Sequence, residues 1–258
     1  MTNGQTPRWL DTTQPGLTLI SHDAIFPDRG HLPTFNSHAI ELNLHRIPGL
    51  SRRFLYLSDD VFLGRPTSPA DFLDLEGIQW IYLECWQLPT TLYTGAVHDR
   101  AYAYTQGLLD TRLSPGSPRP AIAHTPQMYD RDLVAEVQRI WAKQIAETSA
   151  HRFRSPRDVA FRILYYYYAL ESEQHRARHA AAILYGHSTD YMFLRLRDRA
   201  PEMIHMLDDL LFQRPKFFCL NDELDDSDEA GIILSWLNIC LREYYPRPSK
   251  FELEPECE

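Results

Sequence analysis

Phe54 to Asp60 reads FLYLSDD, a short apolar and aromatic run that halts at Ser58-Asp59-Asp60. Lys216 to Leu220 (KFFCL) behaves alike and halts at Asn221-Asp222-Glu223. Short runs of this kind, closed by turn-forming residues, are strand signals. Leu17 to Ile20 and Ile78 to Leu83 (IQWIYL) read as further strands. Ser37 to Ile47 reads as a helix, with Ile40, Leu44 and Ile47 at i, i+4 and i+7 and Asn36 or Ser37 as its cap. Ser68-Pro69 starts a short helix in the cap-then-proline manner. Strands alternating with helices indicate an α/β core, to which a helical lobe is appended or inserted.

The second half is expected to be mostly helical. Asp132 to Ile145 carries Leu133, Val134, Val137, Ile140 and Trp141 on one stripe. Ser155-Pro156-Arg157-Asp158 reads as a helix start, with that helix continuing through Tyr165 to Tyr168. Pro201 to Phe212 and Ser227 to Leu241 read as two more helices. The clearest loop is Arg112 to Pro120, RLSPGSPRP. The expected division is therefore an α/β core over 1–111, a loop over 112–120, a helical lobe over 121–246 with a returning core strand at 216–220, and an acidic, loosely ordered tail over 247–258.

Composition limits the function. The chain has 258 residues, 44 % hydrophobic and 24 % charged, enough for a packed core and too apolar for global disorder. A formal net charge of −9 argues against general nucleic-acid binding. The charge is uneven: residues 151–200 hold nine Lys and Arg against five acids, while 201–258 hold five against fourteen. Either these are two solvated faces, or the basic stretch faces an anionic substrate or a membrane surface. Cys85, Cys219, Cys240 and Cys257 form no C-x-x-C pair, which fits a reducing compartment. Met1 to Trp9 is too polar for a secretory leader, and the longest apolar run, Ala230 to Leu241, is too short for a bilayer span. A cytoplasmic location is expected. The phosphate-loop, dinucleotide and nucleophile-elbow signatures are absent.

Acids at the carboxyl ends of strands can hold a divalent cation and face a phosphate, although Asp and Asn are also ordinary turn residues. His38, Glu41 and His45 share one helix face, either as metal ligands or as a solvated surface. Asn36, Ser37 and His38 sit at a helix start, where free N–H groups attract anions. Arg154 lies beside the helix start at Ser155 and suits a diphosphate. His124, between an apolar run and Thr125-Pro126, can serve as a general base or as a structural histidine. Most of Tyr165 to Tyr168 is expected in the core, with one ring left to face a sugar or a base.

Longer strings carry a resemblance. Leu32 to Gly64 (LPTFNSHAIELNLHRIPGLSRRFLYLSDDVFLG) resembles the second conserved region of the Stealth family. His124 to Trp141 (HTPQMYDRDLVAEVQRIW), with Arg154, resembles the third, and Lys216 to Asp226 (KFFCLNDELDD) the fourth. The family includes bacterial capsule and exopolysaccharide phosphotransferases and the catalytic subunit of the lysosomal-enzyme GlcNAc-1-phosphotransferase. The resemblance implies a Rossmann-like, GT-A-type core with a helical insertion. It implies transfer of a sugar 1-phosphate from a UDP-sugar to an acceptor sugar hydroxyl, with release of UMP, and a site near the inner face of the membrane. Asp60 would be the essential strand-end acid. His124 is the first choice for the base and Asp60 the second. Arg154 would bind the diphosphate, and Asn221 and Asp222 would hold Mg²⁺ or Mn²⁺ or face the donor phosphates. Asn36, Ser37, His38, Glu41 and Asp59 would line the substrate site. Phosphoryl transfer needs chiefly positioning and charge stabilisation, which such a set supplies.

Two departures stand out. Ser58 replaces a usual Asn, a mild change because both hydrogen-bond. The family's first region, with its Asp-Val-Val-Tyr-Thr-Trp-Val-like pattern, has no counterpart here, so an N-terminally truncated core is expected. The alternatives are a UDP-releasing glycosyltransferase and a non-catalytic remnant or partner subunit.

Overall fold

The computed structural model describes residues 4–113, 115–186 and 188–253. It has mixed α/β architecture with eight strands among the described residues, in three small sheets. In the first sheet β1 (Arg53–Tyr56) pairs antiparallel with β5 (Gln127–Asp130). In the second, β8 (Phe217–Asp222) lies between β2 (Val61–Leu63), antiparallel, and β7 (Tyr191–Leu196), parallel. In the third, β3 (Gln79–Gln87) lies between β4 (Pro120–Ile122), antiparallel, and β6 (His179–Leu184), parallel. The FLYL and KFFCL runs are strands as expected, and β8 carries on through Asn221 and Asp222. Leu17 to Ile20 forms no strand. The second half contributes β4, β5, β6 and β7 as well as β8, where a single returning strand was expected.

The helices are α1 (Ser37–Glu41), α2 (Val97–Asp110), α3 (Arg131–Ile140), α4 (Ala142–Ala150), α5 (Phe161–Glu171), α6 (Ala200–Gln213) and α7 (Asp228–Tyr244). The sequence reading gave no helix at α2, and it differs at three other places. The expected helix over Ser37 to Ile47 ends at Glu41 and resumes as a 3-10 turn at Leu44–Arg46. The stripe from Asp132 to Ile145 is two helices, broken at Trp141, whose ψ of 34° leaves the helical path while its ring packs edge-on against Tyr168. Ser155 caps no helix, because α5 begins at Phe161. The cause is Asp158, fully buried, whose carboxylate accepts from Ser155 N at 2.7 Å and Asn36 Nδ2 at 2.8 Å and meets His151 Nδ1 at 2.6 Å. A buried carboxylate needs such donors, and satisfying them curls 151–158 into a turn.

Helix α5 is the centre of the larger core. All four rings of Tyr165 to Tyr168 are buried, and each hydroxyl is used internally. Tyr165 accepts from Asp130 N, Tyr166 donates to Met128 O, Tyr167 donates to Pro120 O, and Tyr168 binds Glu136. These bonds tie β4, β5 and α3 to one helix, so none of the four rings is free to face a ligand. A second core forms where α6 and α7 cover β7 and β8 through Met192, Leu194, Leu207, Leu210, Phe218 and Ile233. Part of the expected acidic tail is ordered, since Phe251 O accepts from Asp11 N and Leu253 N donates to Trp9 O. Residues 254–258 of that tail, with Cys257, lie outside the described residues, as does Ser114 of the 112–120 loop.

Candidate active site

The carboxyl-terminal parts of β3, β7 and β8 line one cavity of about 600 Å³. That is the usual ligand position in an α/β sheet, and the volume suits a small-molecule substrate. Segments far apart in the chain line it. Helix α1 supplies Ser37, His38 and Glu41, the β1–β2 connection supplies Asp59 and Asp60, and β8 supplies Asn221 and Asp222. His124, just after β4, and Arg154, from the turn before α5, complete the expected set. Arg154 Nη2 donates to Ser37 Oγ at 3.0 Å, joining two expected residues across the rim.

Asn36 is the exception. It is fully buried; its Oδ1 caps α1 by accepting from His38 N at 3.1 Å, and its Nδ2 is spent on Asp158. It positions Ser37 and His38 and does not line the cavity. His45 also departs, because α1 ends at Glu41 and turns it away from His38 into a separate cleft beside Arg46 and Arg139. The i, i+3, i+7 histidine–carboxylate face therefore does not exist as a metal site. Arg154 stands in a turn, six residues before Ala160, the residue that precedes α5, and not at a helix N-terminus.

The centre of the cavity is a chain of contacts through His124. Its backbone N–H donates to Tyr191 Oη at 3.1 Å, and Tyr191 donates to Glu84 Oε1 at 2.9 Å. Its Nδ1 lies 3.0 Å from Arg162 Nη1, and its Nε2 lies 3.6 Å from Asp60 Oδ2. A guanidinium only donates, so Nδ1 must hold a lone pair and the neutral ring carries its proton on Nε2. Burial, and then Arg162, push the His124 pKa down to about 3. The ring is therefore neutral, with N–H rather than a lone pair on the side facing Asp60. That geometry runs against His124 as the first choice for the base.

Asp60 has two unlike oxygens. Oδ2 accepts from the Cys219 thiol at 3.3 Å, while Oδ1 is buried and has no partner. Burial and the neighbouring Asp60 carboxylate push the Cys219 thiol up, so it stays protonated and serves as a donor. Asp60, His124 and Cys219 place one oxygen, one nitrogen and one sulfur within 4.8 Å of one another. That mixture suits a softer ion than Mg²⁺; Asn221 and Asp222 offer side-chain oxygens, the donor type a hard cation takes. Glu41, which Tyr56 approaches at 3.4 Å, and Glu84 both have pKa values raised by burial.

Sequence reasoning missed Arg162, Cys219, Glu84 and Tyr102. Arg162 Nη2 donates to Tyr102 Oη at 2.9 Å, so its two ends hold His124 and Tyr102 together. Its signal was there to read, as the single charge in Phe161 to Leu170, FRILYYYYAL. Cys219, a lone thiol within an apolar strand, gave none that distinguishes it from a core residue.

Comparison with known proteins supplies the context for this geometry. Family profiles described as Stealth protein conserved regions 2, 3 and 4 match residues 1–81, 123–171 and 208–258. An exopolysaccharide phosphotransferase of Streptomyces coelicolor is 37 % identical over 256 residues, which is 98 % of this chain and 42 % of that protein. A second from the same organism is 33 % identical, covering 98 % of this chain and 41 % of the relative. The exopolysaccharide phosphotransferase CpsY of Mycobacterium tuberculosis is 32 % identical, covering 97 % of this chain and 46 % of the relative. The chain thus spans less than half the length of these curated relatives.

Proposed function

The chain belongs to the Stealth family, and from that premise we propose that its cavity transfers a sugar 1-phosphate from a UDP-sugar to a saccharide hydroxyl in exopolysaccharide synthesis, releasing UMP. One observation carries the reading. Asp60, His124, Arg154 and Asp222, from three separately matched regions, line a single cavity. In keeping with it, the parallel pairs β3/β6 and β7/β8 are read as parts of a Rossmann-like, GT-A-type core.

In this reading the acceptor O–H attacks the β-phosphorus and a new O–P bond forms. The bridging Pα–O–Pβ bond breaks, and UMP departs with its electron pair. Asp60, whose carboxylate lines the cavity, takes the hydroxyl proton. His124, held by Arg162, presents its Nε2–H toward Asp60 and would donate it to a transferring oxygen. Arg154, docked on Ser37, binds the diphosphate. Seven carboxylates and three guanidinium groups line the cavity, an excess of negative charge that would repel a diphosphate. The oxygen donors fit a hard cation, with Asn221 and Asp222 to hold it. Mg²⁺ or Mn²⁺ bound there would neutralise the donor phosphates.

Work at the cytoplasmic face of a membrane is part of the proposal. No helix among the described residues is long and apolar enough to cross one. Much of the basic excess of 151–200 is used within the molecule: Arg162 in the cavity, Arg195 and Arg197 on Glu223, Arg199 near Glu202. Arg176 and Arg178 remain exposed for a peripheral contact, which a vesicle-binding assay across salt concentrations would detect.

Calorimetry with UDP-sugars tests the donor site. Binding is expected with Mg²⁺ or Mn²⁺, weakened without the cation and in Asp222→Asn. Absence of binding under all conditions would favour a non-catalytic partner.

A further inference from the structure

Two exposed aromatic rings lie within two residues, along the chain, of residues that line the cavity. Phe35 and Phe153 stack at 5.5 Å between centroids, 14° from parallel, and are 58 % and 65 % exposed. They are held in place. Phe35 N donates to Arg152 O at 2.7 Å, and Thr34 Oγ1 reaches the same carbonyl at 3.4 Å. The Arg152 guanidinium lies 5.7 Å from one ring centroid and 6.0 Å from the other. Both strands of chain then run straight into the site. Ser37, two residues after Phe35, and Arg154, next after Phe153, line the cavity and are hydrogen-bonded to each other.

Solvent-exposed aromatic pairs of fixed geometry are costly and mark interaction sites. This one is an apolar plate flanked by the Arg152 guanidinium, with Arg154 next in the chain after Phe153. Its chemical complement has an apolar C–H face, polar edges and an anion within reach of arginine. A pyranose ring linked through a phosphodiester has all three. We infer that Phe35, Phe153 and Arg152 form an outer acceptor subsite, which binds the saccharide unit beyond the reacting one and favours acceptors that already carry a phosphodiester. The subsite rests on the reading of the cavity as a sugar-1-phosphate transferase. It adds a polymeric, anionic acceptor to that reading.

The test compares wild type with Phe35→Ser/Phe153→Ser and with Arg152→Gln, at saturating donor, on a single-sugar acceptor and on a phosphodiester-linked oligosaccharide. The double variant should raise KM for the oligosaccharide by about tenfold, the loss of roughly 1.4 kcal/mol of binding. KM for the single sugar, donor KM and UMP release to water should not change. Arg152→Gln should raise KM only for the phosphodiester-containing acceptor, and Phe35→Tyr/Phe153→Trp should keep the wild-type value. Saturation-transfer NMR with an unreactive phosphodiester disaccharide reads the subsite without turnover, and binding should vanish in the double variant. Equal effects on both acceptors, or no effect, would overturn the subsite. So would a wild type that self-associates where the double variant does not, which would make the rings a contact between copies. A wild type that binds the disaccharide yet transfers no phosphate would instead remove the parent reading and leave the binding site standing.

Discussion

At His124 one hydrogen bond decides what the ring can do. Arg162 can only donate, so the ring presents N–H toward Asp60, and in the proposed reaction the carboxylate would be the proton acceptor. Asp60→Asn should therefore lower kcat by about 10²–10⁴, the range expected on losing a general base. His124→Asn keeps an N–H donor and should retain at least about tenfold more activity than His124→Ala, since a positioned donor is worth more than that. Equal activities in the two variants would restore His124 as the base. A second residue-scale effect concerns His38, buried with neither ring nitrogen hydrogen-bonded. Burial, then Arg162, depresses its pKa to about 3. The unfolded ring takes up a proton near pH 6.5 and the folded ring does not, so stability present at neutral pH is lost as pH falls from about 6.5 toward 3. Urea midpoints at pH 7 and 5 should differ less in His38→Gln than in wild type. The strand-end acids and His124 were legible because turn chemistry and apolar runs are local. Arg162 stands out as the single charge in its apolar run, but its role was not legible, because nothing in its neighbours says which helical face meets a cavity.

At the scale of elements, Asp158 explains where α5 begins and why Asn36 is not a substrate ligand. Asn36→Ala removes the cap of α1 and one donor from a buried carboxylate. A loss of about 1–3 kcal/mol is expected, with donor KM little changed once the folded fraction is corrected for. A large rise in donor KM at unchanged stability would put Asn36 in the binding site. Gly64, just after β2, is fixed by close approach, because a Cβ there would lie 2.1 Å from Pro215 O and 2.6 Å from Tyr244 Oη. Gly64→Ala should cost about 1–3 kcal/mol or more, visible as a lowered melting temperature. Helices α6 and α7 and strands β1 and β8 could be read from apolar runs and caps. The breaks at Glu41 and Trp141 could not, because apolar periodicity continues through both while tertiary packing redirects the chain. Strands β6 and β7 were hidden for a different reason. Gly186, Ser188, Thr189 and Asp190 between HAAAIL and YMFLRL do signal a turn, but alanine-rich HAAAIL is a weak strand signal, and both ladders depend on partners about a hundred and about twenty-five residues away.

Over the whole molecule, every sheet joins a strand from before the 112–120 loop to one from after it. The cavity exists only because those pairings close, which is why its residues are dispersed from Ser37 to Glu223. An α/β class was legible from alternating elements, but pairing between distant segments carries no local signature. The long family strings bridged that gap for the site without fixing the sheet order. The central claim is that phosphorus moves with the sugar, and the fate of a label at the β-phosphorus tests it most directly. With a panel of β-³²P-labelled UDP-sugars, Mg²⁺ or Mn²⁺ and saccharide acceptors, the label should enter the saccharide while unlabelled UMP accumulates, and Asp60→Asn should abolish both. Label retained in UDP while the sugar alone reaches the acceptor would contradict the account and establish a glycosyltransferase instead.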